Sequence, residues 1–135
     1  MSRLKVVMMG LGYIGLPTAA LIASRGINVQ GIDVNQSVVE TINQGEIHIV
    51  EPALDGLVKH VVQKGLLRAS TSPDPADVYL IAVPTPFKGD HEPDLKYVES
   101  ATRMILPNLK EGDLFIIEST SPVGTTEKMA EIIFN

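Results

Sequence analysis

Six residues near the start, Gly10-Leu11-Gly12-Tyr13-Ile14-Gly15, constrain this chain more than any other stretch. They stand between the apolar run LKVVMMG and the small-residue segment PTAALIAS. An apolar run of that length, stopped by glycine, suits a strand buried on both faces. In the segment that follows, Pro17 falls in the first turn, where its missing N–H does no harm, and Gly26 is a natural stop. A helix is predicted over about residues 13–25. G-x-G-x-x-G alone is a weak signal, but between a strand and a helix each glycine has a task. Gly10 permits the tight turn, Gly12 lets a pyrophosphate approach the backbone, and Gly15 lets the helix pack closely on the strand. The helix start then offers free N–H groups and the positive end of its dipole to phosphates.

The next apolar run, INVQGID, ends in Asp33, 18 positions after Gly15. A carboxylate there accepts hydrogen bonds from both adenosine ribose hydroxyls and repels a 2′-phosphate. Val34-Asn35-Gln36 offers no arginine to offset that charge. The pattern selects NAD over NADP. The competing reading is a glycine turn that merely joins strand to helix, with Asp33 a solvated strand end. Motif, context, spacing and acid together outweigh it.

Strand-like and helix-like segments alternate through the rest of the chain. Asn35 caps a short helix carrying Val38, Val39 and Ile42, which Gly45 ends. EIHIVEPALDGL reads as a loop, with Pro52 at the start of a helix whose Leu54, Leu57, Val58, Val61 and Val62 recur at helical spacing. LLRAST and DVYLIAV are the third and fourth strands, and PTPFKGDHEPD is a long polar loop. Asp94 caps a helix with Leu95, Val98, Ala101, Ile105 and Leu106 on one face, ended by Pro107. DLFIIES is a fifth strand, and Thr125 or Thr126 caps a last helix with Met129, Ile132 and Ile133 inward. This alternation predicts an α/β fold, a Rossmann-type doubly wound parallel sheet with helices on both faces. The 135 residues fit one NAD-binding domain, residues 1–135, expected to be truncated before its last strand.

Composition narrows the partners. A formal net charge of -5 argues against a general nucleic-acid binder. Apolar runs such as VYLIAV are too short to cross a bilayer, and the start lacks the form of a signal peptide. The absence of cysteine rules out disulfides, thiolate metal sites and a cysteine nucleophile within these residues, and fits the cytoplasm. His48 follows a glycine turn, His60 falls on the polar side of a helix, and the cluster GDHEPD around His91 lacks any ligand pair at helical or hairpin spacing, so no metal is expected.

Ligands of doubly wound sheets bind beyond the carboxyl ends of the strands, where strand order reverses. Pro84 and Pro86 hold Thr85 on a rigid corner there, either as a contact to the second ribose or diphosphate or as an ordinary turn residue. The hydroxyl-rich stretch from Glu118 to Thr126 belongs beside the nicotinamide end. Thr120 is the better candidate for the reacting centre. Thr126 either binds the cofactor or caps the helix, and local side-chain-to-backbone bonding is the plainer account of the whole run.

VVMMGLGYIGLPTAALIA, GIDVN, GEIHIVEPAL, LIAVPTPF and ESTSPVGTTEKMAE together resemble the amino-terminal domain of the UDP-glucose/GDP-mannose dehydrogenase family, over the whole chain. The resemblance implies oxidation of a UDP-sugar C6 alcohol to a carboxylate with two NAD and one water. In that family a cysteine thiolate captures the aldehyde, and water hydrolyses the later thioester. It also implies a helical dimerisation domain and a UDP-sugar domain in the full enzyme, hence a homodimer or higher. By correspondence, Gly10, Gly12, Tyr13, Ile14 and Gly15 form the dinucleotide loop, Asp33 binds ribose, and Thr85 and Thr126 match cofactor-contacting positions. Thr120 matches the threonine of the S-T-x-P-V stretch that helps hold the catalytic water. The family's cysteine, lysine and asparagine have no counterpart up to Asn135, so this chain alone is expected to be inactive. Two other readings stand beside this one. A related β-hydroxyacid dehydrogenase would share the fold but not the pairing of VPTPFKGDHEPD with STSPVGTT. A stand-alone NAD-binding or sensing module would need no catalytic partner.

Overall fold

The computed structural model describes residues 4–88, 92–118 and 124–134. The alternating segments fold as β1 (Lys5–Met9), α1 (Gly15–Ser24), β2 (Asn28–Ile32), α2 (Gln36–Asn43), α3 (Leu54–Gln63), β3 (Leu67–Ser70) and β4 (Val78–Ile81). Two short strands, β5 (Phe87–Lys88) and β6 (Glu92–Pro93), precede α4 (Lys96–Ile105), a 3-10 turn (Leu106–Asn108), β7 (Leu114–Ile117) and α5 (Thr125–Phe134). The main sheet has the order β3-β2-β1-β4-β7, and every pairing in it is parallel. The chain moves outward from β1 to β3, then returns to β4 on the other side of β1. The switch point therefore lies between β1 and β4. This is the doubly wound parallel arrangement that the sequence predicts.

Period-2 alternation divides the core in two. Val6 and Met8 of β1 and Leu80 of β4 pack with Leu16, Ala19, Ala20 and Ala23 of α1, and with α2 and α3. Val7, Met9, Tyr79 and Ile81 face the opposite way, onto Val98, Ala101 and Ile105 of α4 and Met129 of α5. Helices thus cover both faces, which is why strands such as VYLI are apolar throughout. At the β3 edge, Asn43 imitates a neighbouring backbone. Its Nδ2 donates to Ala69 O at 3.0 Å, and its Oδ1 accepts from Ala69 N at 2.8 Å. The outer strand is satisfied there without a further strand.

Several local expectations shift. Helix α1 starts at Gly15, two residues later than expected, with Ile14 at the N-cap making no side-chain bond. Asn35 does cap α2, accepting from Ser37 N at 3.0 Å, and Asp94 Oδ1 accepts from Lys96 N at the start of α4. The loop PTPFKGDHEPD contains an antiparallel pair, Phe87 with Pro93 and Lys88 with Glu92, too short to leave an alternating pattern. Leu95 and Leu106, expected on the inner face of α4, are half-buried just outside its ends. In α5, Met129 is buried and Ile132 packs on the core, but Ile133 faces a groove beside Leu109 and Phe115. His91 lies outside the described residues.

The amino ends of the central strands are held by a polar corner. Lys110 Nζ lies 2.6 Å from Asp113 Oδ1 and donates to Ala76 O, while Tyr79 Oη accepts from Ala76 N at 2.8 Å. Burial raises the Tyr79 phenol above its ordinary value. The hydrogen bond from Lys110 lowers the Asp113 carboxyl below its ordinary 3.8. A depressed carboxyl contributes stability above its unfolded-state value and loses it as pH falls through the folded one. Asp113→Asn should therefore be less stable than the parent near neutrality. The gap in urea midpoint should close as pH drops below about 3.9. A gap that stays constant into acid would contradict this.

Among the described residues, Ala53 is the one non-glycine with a positive φ, at 65°. It occupies the N-cap of α3 and makes no side-chain cap bond. The left-handed region costs an L-residue about 1–2 kcal/mol. Replacement by glycine removes that cost but adds about 0.4–1 kcal/mol of unfolded-chain entropy. Ala53→Gly should stabilise the chain by about 0.5–1 kcal/mol, read as a higher urea midpoint at unchanged slope.

Candidate functional site

The carboxyl ends of β1, β2 and β4 meet around the glycine turn. Gly10, at φ 99°, donates its N–H to Ile32 O at 2.7 Å. A Cβ on Gly10 would lie 2.6 Å from Ala82 O, and one on Gly15 would overlap the Gly10 carbonyl. The turn therefore closes directly on the exits of β4 and β1, and α1 begins against it. Leu11 is fully buried, and its Cδ2 occupies the space that a Cβ on Gly31 of β2 would need. Gly12 differs from the other two: a Cβ there meets nothing within 4 Å. The space above it is open, as a backbone that receives a pyrophosphate requires. Tyr13 and Ile14 flank that opening and are largely exposed.

Asp33 ties this turn to the end of β2. Its Oδ2 accepts from Leu11 N at 3.2 Å and its Oδ1 from Asn35 N at 3.0 Å. An ionised carboxylate has about four acceptor sites. Both oxygens thus keep capacity for ligand hydroxyls while being held in place. Beside Asp33 opens a cleft of about 350 Å³, within the usual range for small-molecule sites of roughly 300–1,000 Å³. Gly10, Val34, Val83 and Pro84 form its walls together with Tyr97 and Met104 of α4. An apolar slot beside a fixed carboxylate matches an adenine joined to a ribose. The open Gly12, the helix start and this slot together fit a dinucleotide.

The remaining candidates separate. Pro84 and Pro86 line the cleft, whereas Thr85 between them is half-buried and not part of the lining. Thr126 is exposed on α5 and borders a different groove, with Leu109, Phe115 and Ala130. That groove is larger, about 730 Å³, but it runs along α5 toward the amino end of β7, away from the switch point. Thr120 lies outside the described residues. The structure adds contributors that the sequence pattern did not single out. Tyr97 and Met104 reach the cleft from α4, and Thr18 of α1 donates its hydroxyl to Glu118 Oε2 at 3.2 Å, from 100 positions away. The helical spacing of α4 marks its core face only, so it carried no signal for the first two.

These features define a dinucleotide-binding domain of the Rossmann type. More particularly, the chain belongs to the UDP-glucose/GDP-mannose dehydrogenase family: residues 4–135 match that family's NAD binding domain. It is 66% identical over 131 residues to the UDP-N-acetyl-D-mannosamine dehydrogenase of Escherichia coli, covering 97% of this chain and 31% of that protein. Among solved structures, it superposes on the UDP-N-acetyl-mannosamine dehydrogenase of Staphylococcus aureus with a TM-score of 0.93 at 40% identity, covering 97% of this chain and 32% of that one. On the UDP-D-ManNAc dehydrogenase of Pyrococcus horikoshii the TM-score is 0.91 at 44% identity, over 96% and 31% of the respective chains. The chain thus spans about a third of the length of these relatives. The cofactor of the family domain is NAD.

Gly12 and Gly15 make separable predictions. Gly12→Ala should fold with stability within about 1 kcal/mol of the parent yet lose most NAD affinity, because its Cβ would enter the open space that a pyrophosphate needs. Gly15→Ala should lose both, because its Cβ collides with the turn itself. Thermal unfolding and NAD titration on the two variants check this. Equal loss of stability in both would refute the assignment of Gly12 to the ligand.

Proposed function

We propose that this chain is the NAD-binding domain of a UDP-N-acetyl-D-mannosamine dehydrogenase. The whole protein would oxidise the sugar C6 alcohol to a carboxylate with two NAD, giving UDP-N-acetyl-D-mannosaminuronate for surface polysaccharide synthesis in the cytoplasm. The observation that carries this reading is the close likeness to the Escherichia coli enzyme across nearly the whole chain. The cleft and Asp33 support its cofactor half. The glycine turn and the start of α1 would hold the diphosphate, with Tyr13 and Ile14 beside it. Asp33 would hold the adenosine ribose, and Val34 and Val83 would enclose the adenine. When bound, NAD supplies the hydride acceptor.

Thr85 and Thr126 are proposed as further cofactor contacts, and Thr120 as a residue that helps place water. The chain has no cysteine, so the covalent step of the family's chemistry falls outside these 135 residues. We expect the isolated chain to bind NAD without turnover, with residues 1–135 forming one domain of a larger homodimer or higher oligomer. Helical and UDP-sugar domains would supply the remaining site.

Two measurements test this. Full-length protein assayed by NADH formation should prefer UDP-N-acetyl-D-mannosamine to UDP-glucose, and the reverse preference would overturn the substrate assignment. In the 135-residue chain, Asp33→Asn should weaken NAD binding by about ten- to a hundredfold, the range of a lost hydrogen bond to a charged group. It should also narrow discrimination against NADP. An unchanged NAD/NADP affinity ratio would remove the ribose role from Asp33.

A further inference from the structure

The Thr18–Glu118 contact places a second carboxylate at the mouth of the sheet, on the other side of the glycine turn from Asp33. Glu118 directly follows β7, and its N–H donates to Ile81 O at 2.7 Å, closing the last rung between β7 and β4 at their carboxyl ends. Its side chain is half-buried. Its Oε2 accepts the Thr18 hydroxyl, one turn into α1 from Gly15. The carboxylate is therefore tethered to the helix whose start receives the diphosphate.

A dinucleotide lies across the switch point, one nucleoside to each side. With adenosine on the β2 side, at Asp33, the nicotinamide half falls on the β4–β7 side, where Glu118 stands. That half holds the one part of the cofactor whose charge changes: the oxidised ring is a cation and the reduced ring is neutral. The diphosphate charge is common to both forms, so its interaction with Glu118 cancels from their ratio.

We infer that Glu118, positioned by Thr18, biases this domain toward the oxidised cofactor. The inference rests on the NAD reading above. A partly solvated carboxylate favours a neighbouring cation by about three- to tenfold, an effect intermediate between bulk-water and protein-surface screening. Such a bias suits an oxidation that uses two NAD, because it opposes retention of the NADH formed.

The test is direct titration of the 135-residue chain with NAD⁺, NADH and ADP-ribose, in the parent, Glu118→Gln, Thr18→Val and Thr18→Ser. Glu118→Gln should lower the preference for NAD⁺ over NADH by about three- to tenfold and leave ADP-ribose affinity within about twofold. Thr18→Val should lower the preference by a smaller factor, and Thr18→Ser, which keeps the hydroxyl, should restore it. If the parent binds neither ADP-ribose nor NAD⁺, the NAD reading fails and this inference with it. If all three ligands bind and the NAD⁺/NADH ratio is unchanged in Glu118→Gln, the inference alone is overturned. Equal weakening of all three ligands would assign Glu118 a structural role and overturn it as well.

Discussion

At the start of α1 the backbone folds so tightly on itself that neither Gly10 nor Gly15 has room for a Cβ. Most of the site depends on that contact. It brings the helix start directly over the end of β1, and it sets Gly10 against Ala82 at the exit of β4. Because the turn is this short, Leu11 is driven into the sheet, where the glycine at position 31 leaves its methyl groups space. Ala19, Ala20 and Ala23 continue the same logic along α1, since small side chains let the helix lie close on β1 and β4. A bulkier residue at any of these points would lift the helix and widen the gap that the diphosphate must bridge.

What could be read from the residues alone is what a single segment encodes. Short, largely apolar runs mark the five parallel strands, and glycine or an acid closes those of β1, β2 and β7. Asn35 and Asp94 announce helix starts because a cap is a local bond. Glycine spacing marks the turn because each position has its own steric demand. The unread parts arise from segments meeting across the fold. Nothing near Asn43 says that its amide will satisfy the edge of β3, and nothing near Thr18 says that it will meet Glu118. Tyr97 and Met104 reach the cleft only because α4 crosses the end of β4. The two threonines that open α5 make the same point. Helical rotation turns Thr125 into the core and leaves Thr126 exposed, so residue type alone could not assign them.

Asp33 shows how one residue can satisfy both a structural and a ligand-binding reading. Its two oxygens already hold the N–H groups of Leu11 and Asn35. Those bonds fix the carboxylate before any ligand arrives, and they fix the turn relative to β2. Preorganisation of this kind lowers the entropy that binding must offset. A ribose diol would then meet an acceptor whose position is set by the backbone, not by a free rotamer.

Charge explains why the turn must do its work with backbone alone. No lysine or arginine occurs between Lys5 and Arg25, so the segment around the diphosphate position supplies no cationic side chain of its own. Two carboxylates, Asp33 and Glu118, stand on either side of it. A dianionic group entering between them is attracted by the N–H groups and dipole of α1, which act only at close range. That places the demand on Gly12, the one glycine of the turn whose missing Cβ leaves open space and not a packed contact. Steric access at Gly12 and the fixed acid at Asp33 thus work as one selection. In the proposed reading the first would admit a diphosphate to the backbone, and the second would reject a further phosphate on the ribose beside it.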